Sequence, residues 1–162
     1  MDFRIGSIVD NNLPVIDIHD REYPVPYART VVINVNNSQR VYDIPDNDFW
    51  RDKLIVGVAT RKQDGSNTRY SKNGNLLIPQ SWLGRAFLRL SQNNNQVVEN
   101  IPLELLVHEP GQALSYMQLI MDGGFSTSSS ALEFSGTGAL TGGPFDVELV
   151  FFYVPKNKIC YQ

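Results

Sequence analysis

The residues that could carry out chemistry in this chain are few and widely spaced. Asp17 and His19 would share one face of a strand and could pair, whereas His108 and Glu109 are adjacent and would point to opposite faces. A zinc site needs three or four histidine, cysteine or carboxylate ligands, and the chain has two histidines and one cysteine. We therefore expect no metal site of the zinc or cupin type, and we interpret both histidines as ordinary surface or core residues.

Four aspartates lie close together in the stretch DIPDNDFWRD, at positions 43, 46, 48 and 52. Calcium prefers loops rich in carboxylates, but the ligand spacing and the glycine of an EF-hand loop are missing here. The sequence favours a solvated turn between two strands, with a calcium site as the alternative.

The sequence does not match other motifs of enzymes and nucleotide-binding proteins in their residue spacing. In SGTGALTGGP, Thr141 stands where the third glycine of a dinucleotide-binding loop would fall, and a predicted strand follows instead of a helix. No serine lies in a G-x-S-x-G elbow. Carboxylate pairs of glycosidases meet only in the folded chain, and no pattern points to one. We predict that the protein is not an enzyme and needs no cofactor.

Alternating apolar residues predict strands along most of the chain. In the stretch TVVINVN, residues Val31, Ile33 and Val35 would share one face, and KLIVGVATR is apolar on both faces, as in a central strand. Further predicted strands are RVYDI, FLRL, VVENIPLELLV, SYMQLIM, SALEF and FDVELVFFYV. One helical turn is predicted at 80–84. Pro102 interrupts VVENIPLELLV, which is therefore either two strands or one edge strand with a bend.

Many short strands separated by polar turns indicate an all-β fold. We predict a jelly-roll-type antiparallel β-sandwich of about eight strands over residues 29–162. The residues expected in its core are Ile55, Val56, Val58, Leu105, Val107, Leu149 and Phe151.

Residues 1–28 differ from the rest in their prolines. Pro14, Pro24 and Pro26 remove ladder donors, so we predict an extended N-terminal arm that contains one short strand, VIDIH. The arm is too apolar to stay in water and would dock on its own domain or on a neighbouring subunit. The residues proposed for such contacts, with aromatic residues of predicted loops, are Phe3, Ile5, Ile8, Val15, Ile18, Tyr23, Tyr27, Trp50 and Trp82.

Two strand-and-turn patterns within residues 31–107 carry a resemblance to a known family. A short proline turn leads into R-x-K-x-I-x-G, formed by Arg51, Lys53, Ile55 and Gly57, and the hairpin F-L-x-L…I-P-L follows as Phe87, Leu88, Leu90 and 101–103. In these patterns the chain resembles small virion proteins of tailless icosahedral phages of Bacteroidota. The resemblance implies a jelly-roll capsid subunit, at the vertex (penton-like) or as a minor capsid component, and it implies no catalytic residue.

Composition agrees with a structural role and sets the expected partners. With a net charge of −3 at pH 7, the chain is not expected to bind nucleic acid. A single cysteine cannot form an internal disulfide, and the first residues lack the apolar run of a signal peptide. We expect folding in the host cytoplasm, localisation in the virion, self-association (for instance into a pentamer), contacts with other capsid proteins, and membrane contact only through partners. The alternative is a carbohydrate-binding or receptor-binding β-sandwich module.

Overall fold

The computed structural model describes residues 15–18, 21–24, 27–36, 38–45, 48–66, 69–92, 95–108, 117–123, 125, 129–136, 140 and 143–155. The strands in this part of the chain are β1 (Val15–Ile18), β2 (Arg21–Pro24), β3 (Tyr27–Val35), β4 (Val41–Asp43), β5 (Lys53–Arg61), β6 (Ala86–Gln92), β7 (Asn95–Pro102), β8 (Met117–Asp122), β9 (Ala131–Phe134) and β10 (Phe145–Pro155). One α-helical turn, α1 (Gln80–Leu83), and two 3-10 turns, Asp48–Trp50 and Leu103–Leu106, connect them.

Eight of these strands form two four-stranded antiparallel sheets that face each other. The first sheet has the order β3-β10-β5-β8 and the second has the order β4-β9-β6-β7. Successive strands from β3 to β10 alternate between the sheets, except β6 and β7, which form a hairpin within the second sheet. This crossing pattern is that of a jelly roll. The predicted fold is therefore confirmed, including the central position of β5 and the helical turn at Gln80.

The main core lies between the two sheets. On β10 the alternate residues Phe145, Val147, Leu149 and Phe151 are fully buried against Ile55 and Val58 of β5 and Leu88 and Leu90 of β6. Their neighbours point to the opposite face, since successive strand residues alternate. The buried Leu54, Val56, Ala59, Phe152 and Val154 accordingly form a second apolar cluster on the outer face of the first sheet. The predicted core residue Val56 is thus buried, but outside the main core.

The prediction that Leu105 lies in the core is wrong. β7 ends at Pro102, and Leu103–Leu106 form a 3-10 turn that buries Leu103 and Leu106. Leu105 lies on the outside of that turn and is 69% exposed. Val107 is half-buried and packs against the main core. The physical reason is that a strand alternates sides every residue, whereas a turn of about three residues per repeat does not.

The N-terminal segment is more regular than an extended arm. Strands β1 and β2 pair as an antiparallel hairpin, with Val15 opposite Pro24 and Ile18 opposite Arg21, and this pair forms a separate two-stranded sheet. The expectation that prolines keep residues 15–24 out of a regular sheet is wrong, because each strand of a two-stranded ribbon is an edge strand, where proline is tolerated. β3 begins at Tyr27, two residues before the predicted boundary of the arm.

We expect the two leucines Leu149 and Leu105 to differ sharply in their contribution to stability. Leu149→Ala should lower the free energy of unfolding by roughly 2–5 kcal/mol, because it leaves a cavity in the main core. Leu105→Ala serves as the matched control and should change it by less than about 0.5 kcal/mol. Urea denaturation of both variants measures the difference, and equal losses would contradict the placement of the 3-10 turn.

Candidate functional site

A cluster of aromatic rings closes the end of the sandwich at which the N-terminal segment joins β3. We call this the arm end. Tyr27, the first residue of β3, stacks on Tyr153 near the end of β10, with ring centroids 5.8 Å apart. Phe49, in the 3-10 turn after β4, packs edge-on against Tyr153 at 4.9 Å. Trp50 lies behind Phe49 and contacts Phe125 and Phe151. These rings join the loop after β4 to the two strands where the arm enters.

Two cations lie against the same ring of this cluster. The guanidinium carbon of Arg29 is 3.9 Å from the centroid of Phe49, and the ammonium nitrogen of Lys53 is 4.9 Å from it. The register explains this convergence. Arg29 on β3 lies opposite Phe151, and Lys53 on β5 lies opposite Pro155, so the two residues flank β10 at its last residues. Both side chains are half-buried. We call Arg29, Lys53 and Phe49 the cation pocket.

The cation pocket has no carboxylate partner among the side chains that the structure describes. Ion pairs there involve Arg51 with Asp48, Arg61 with Glu148 and Arg89 with Glu133. Among residues whose side chains the structure describes, no carboxylate lies within ion-pair distance of Arg29 or Lys53. An arginine stacked on an aromatic ring keeps its N–H donors free at the edge of the guanidinium, where a carboxylate can accept two hydrogen bonds. The pocket can therefore bind an anion.

The structure assigns Trp50 and Trp82 to the core and not to a contact surface. Trp50 is 1% exposed, and its indole Nε1 has no hydrogen-bond partner among the described residues. Trp82, in α1, is buried at the opposite end, edge-on to Phe134 and near the guanidinium groups of Arg40 and Arg85. The sequence-based assignment of these two tryptophans as contact residues is therefore corrected. A large ring in a loop at the end of a sandwich fills the gap between the sheets.

The other predicted contact residues lie near or before the arm end. Tyr27 is 44% exposed and belongs to the aromatic cluster. Val15, Ile18 and Tyr23 occupy the β1–β2 hairpin. Phe3, Ile5 and Ile8 lie outside the described residues. Of the predicted contact residues, Tyr27 lies at the arm end. The sequence did not indicate Arg29, Lys53 or Phe49, whose positions depend on the register of three strands.

A second group of polar residues is buried on the outer face of the first sheet. Asp146 is 0% exposed and accepts hydrogen bonds from Asn34 Nδ2 (2.8 Å), Ser71 Oγ (2.6 Å) and Asn75 Nδ2 (3.2 Å). Glu148, two residues along β10, pairs with Arg61 and accepts the backbone N–H of Lys72 at 3.1 Å. We call this set the carboxylate network. It fastens the loop between β5 and α1 onto the sheet.

The carboxylate network has the hydrogen bonding of a structural clamp. Each carboxylate already accepts at least two hydrogen bonds from the protein, whereas a general acid or base must exchange its proton with a substrate. Backbone hydrogen bonds also hold this loop against β10, since Asp146 N donates to Leu76 O and Ile78 N donates to Asp146 O. Alternation alone would place Asp146 and Glu148 on the solvent side of β10, so the sequence did not indicate them. The loop that covers them comes from a distant part of the chain.

A tyrosine closes the other end of the sandwich. The Tyr42 hydroxyl donates to Asn36 O at 2.6 Å, within the turn that connects β3 and β4. Burial raises the pKa of Tyr42 above the ordinary tyrosine value, while the hydrogen bonds to Asn36 and Gln39 act in the opposite direction. The neutral phenol therefore holds this turn.

The remaining candidates from the sequence are the clustered aspartates and other possible metal ligands. Of the four clustered aspartates, Asp46 lies outside the described residues, and Asp48 pairs with Arg51 on the surface. Within the described ranges, no group of three histidine, cysteine or acidic residues could hold a metal ion. No helix in the same ranges is long and apolar enough to cross a membrane.

Comparison of the chain with family models, curated proteins and solved structures found no match.

Proposed function

We propose that this chain is a structural subunit of a virion shell, placed at the vertex in a penton-like position or used as a minor capsid component. The observation that carries the proposal is the strand order, β3-β10-β5-β8 facing β4-β9-β6-β7. Jelly rolls of this kind occur in viral capsid proteins, in lectin domains and in cupins. The choice among these three classes depends on what fills and surrounds the sandwich.

A cupin holds a metal or substrate inside its barrel, and the interior of this sandwich is filled. The fully buried side chains between the sheets include Phe145, Phe151, Leu88, Leu90 and Leu103. The described residues between the sheets are mainly close-packed aliphatic and aromatic side chains, as in a structural core. The interior therefore favours a scaffold over an enzyme.

A shell subunit must be rigid and must present contacts at its edges and ends. The carboxylate network fixes a long loop on the outer face of the first sheet, and the aromatic cluster closes the arm end. The β1–β2 hairpin joins β3 through residues 25 and 26 and pairs with neither large sheet. An isolated hairpin is marginal in water, so a second surface would stabilise it. This arrangement suits a rigid block with one contact element outside the two large sheets.

The proposed partners are further copies of this chain, for instance in a pentamer, and other capsid proteins. A pentamer would use heterologous contacts that close into a ring, in which one surface of a copy meets a different surface of the next copy. The proposed location is the virion. The proposal includes no nucleic-acid binding and no membrane contact except through partners.

The alternative is a carbohydrate-binding or receptor-binding module. Its support is Tyr70, which is 53% exposed on the loop that the carboxylate network fastens. An exposed aromatic ring beside polar side chains can stack on a sugar. Binding to a glycan array that disappears in Tyr70→Ala, with unchanged melting temperature, would favour this alternative.

Removal of residues 1–24 should separate folding from assembly. We expect the truncated chain to keep a folded sandwich, because β3 begins at Tyr27 and the strands of both large sheets remain. We expect it to lose self-association and incorporation into particles. Circular dichroism melting and native mass spectrometry of truncated and full-length chains test this, and outright unfolding of the truncated chain would show that the hairpin belongs to the core.

A further inference from the structure

The cation pocket combines two positive charges that the described part of the molecule does not neutralise. Arg29 and Lys53 both lie within 5 Å of the Phe49 centroid, at 3.9 and 4.9 Å, so the two charges are separated by no more than the sum of these distances. At physiological salt, with a screening length of about 8 Å, charges at such a separation are screened only in part. An anion that contacts both cations would relieve their remaining repulsion.

The β1–β2 hairpin brings two negatively charged residues to opposite positions. Its register places Asp17 directly opposite Glu22. Like charges at directly opposite cross-strand positions destabilise a hairpin. The whole N-terminal segment is acidic: residues 1–24 contain five acidic and two basic residues, a net charge of −3, which equals the net charge of the complete chain. Residues 25–162 are neutral overall, so the negative charge of the protein resides in the arm.

We propose that the Asp17–Glu22 pair of one copy binds the cation pocket of a neighbouring copy. This inference rests on the proposed function and names the contact through which the subunits associate. Asp17 and Glu22 match the two cations of the pocket in number and are opposite to them in charge, while the hairpin sequence also contains Asp20 and Arg21. Arg29 would donate hydrogen bonds to one carboxylate from the edge of its stacked guanidinium, and Lys53 would hold the other as a point charge.

The position of both elements favours an exchange between copies. The hairpin leaves its own sandwich at the arm end, through residues 25 and 26, and the pocket lies at the same end. Hairpin and pocket are different surfaces of one chain, so their contact is heterologous and can close into a ring. Each copy then gives one hairpin and receives one.

Charge reversal tests the contact in the full-length protein. The pocket variant carries Arg29→Glu and Lys53→Glu, and the hairpin variant carries Asp17→Lys and Glu22→Lys. Each variant alone should self-associate at least about tenfold more weakly than the wild type, a loss of about 1.4 kcal/mol. An equimolar mixture should associate much more strongly than either variant alone, because each reversed element then meets a complementary partner. A ring with an odd number of copies still keeps one mismatched contact, so the mixture need not reach the wild-type association constant. Sedimentation velocity and native mass spectrometry measure the association.

The control is Arg51→Gln, which removes a cation that lies beside the pocket in sequence, is mostly exposed and pairs with Asp48. It should leave the association constant unchanged. If the mixture associates no better than the separate variants, while one chain with all four substitutions recovers, the contact is within one copy and the inference is wrong. A wild-type chain that stays monomeric up to roughly millimolar concentration would also overturn it. Neither result removes the chain from particles, so the proposed function is tested separately.

A milder set of substitutions covers the case in which a reversed variant does not fold. Arg29→Gln with Lys53→Gln, and Asp17→Asn with Glu22→Gln, form a double-mutant cycle on the association constant. We expect the combined variant to associate no more weakly than the weaker of the two parents. Fully additive losses would contradict a direct contact.

Discussion

Trp50→Ala is expected to lower the free energy of unfolding by roughly 3–5 kcal/mol, the range for a large aromatic side chain removed from a core. Trp50 is almost fully buried and contacts four aromatic rings, those of Phe49, Phe125, Phe151 and Tyr153. Its removal would leave a cavity at the arm end. It would also loosen the packing behind Phe49, the ring that both cations contact. Chemical denaturation measures the loss.

The matched control for this substitution is Tyr70→Ala. Tyr70 is also an aromatic residue outside the strands, but it is largely exposed, so we expect a change of less than about 0.5 kcal/mol. A stable Trp50→Ala protein that has lost glycan binding would contradict the core assignment and would support the carbohydrate-binding alternative.

Asp146→Ala is expected to lower the free energy of unfolding by roughly 1.5–3 kcal/mol, the range for hydrogen bonds to a charged group, because it removes the shared acceptor of a hydrogen-bonded network. Ser71 Oγ, in a buried residue, would lose its acceptor, and an unsatisfied buried donor is costly, whereas Asn34 and Asn75 are exposed and can donate to water instead. The loop around Ser71 should detach from β10. Hydrogen exchange at the amides of Leu77 and Ile78 should then increase far more than exchange in the second sheet.

Two control substitutions distinguish the loss of the carboxylate network from a general effect of removing a negative charge. Asp48→Ala removes an aspartate that is largely exposed and pairs with Arg51, and it should cost less than about 1 kcal/mol. Asp146→Asn keeps one acceptor oxygen and should fall between Asp146→Ala and the wild type. If Asp146→Ala melts at the wild-type temperature and retains slow exchange in the loop, the carboxylate network does not fasten it.

Sequence patterns predicted the strands well where one face is apolar. β10 is the clearest case, since Phe145, Val147, Leu149 and Phe151 alternate along it and are all buried. The bounds of β5 agree residue for residue with the predicted strand. Alternation fixes which side chains share a face, and a sandwich buries one such face of each strand.

The sequence could not predict contacts that depend on distant segments. Asp146 and Glu148 alternate with the core residues and therefore looked solvent-exposed, but a loop some seventy residues earlier covers them. The two tryptophans lie in turns, and a turn has no periodicity to show which way a ring points. The pocket residues Arg29 and Lys53 are 24 positions apart and meet only because β10 pairs with both of their strands.

The most direct test of the central claim is the composition of purified virus particles from the source of this chain. Quantitative mass spectrometry, combined with electron cryomicroscopy of the vertices, would measure how many copies each particle holds and where they lie. The proposal predicts a constant copy number and a density at the vertices, or at another fixed position in the shell, into which the two four-stranded sheets fit. Particles that lack the chain, or that carry it in variable amounts removed by washing, would contradict it.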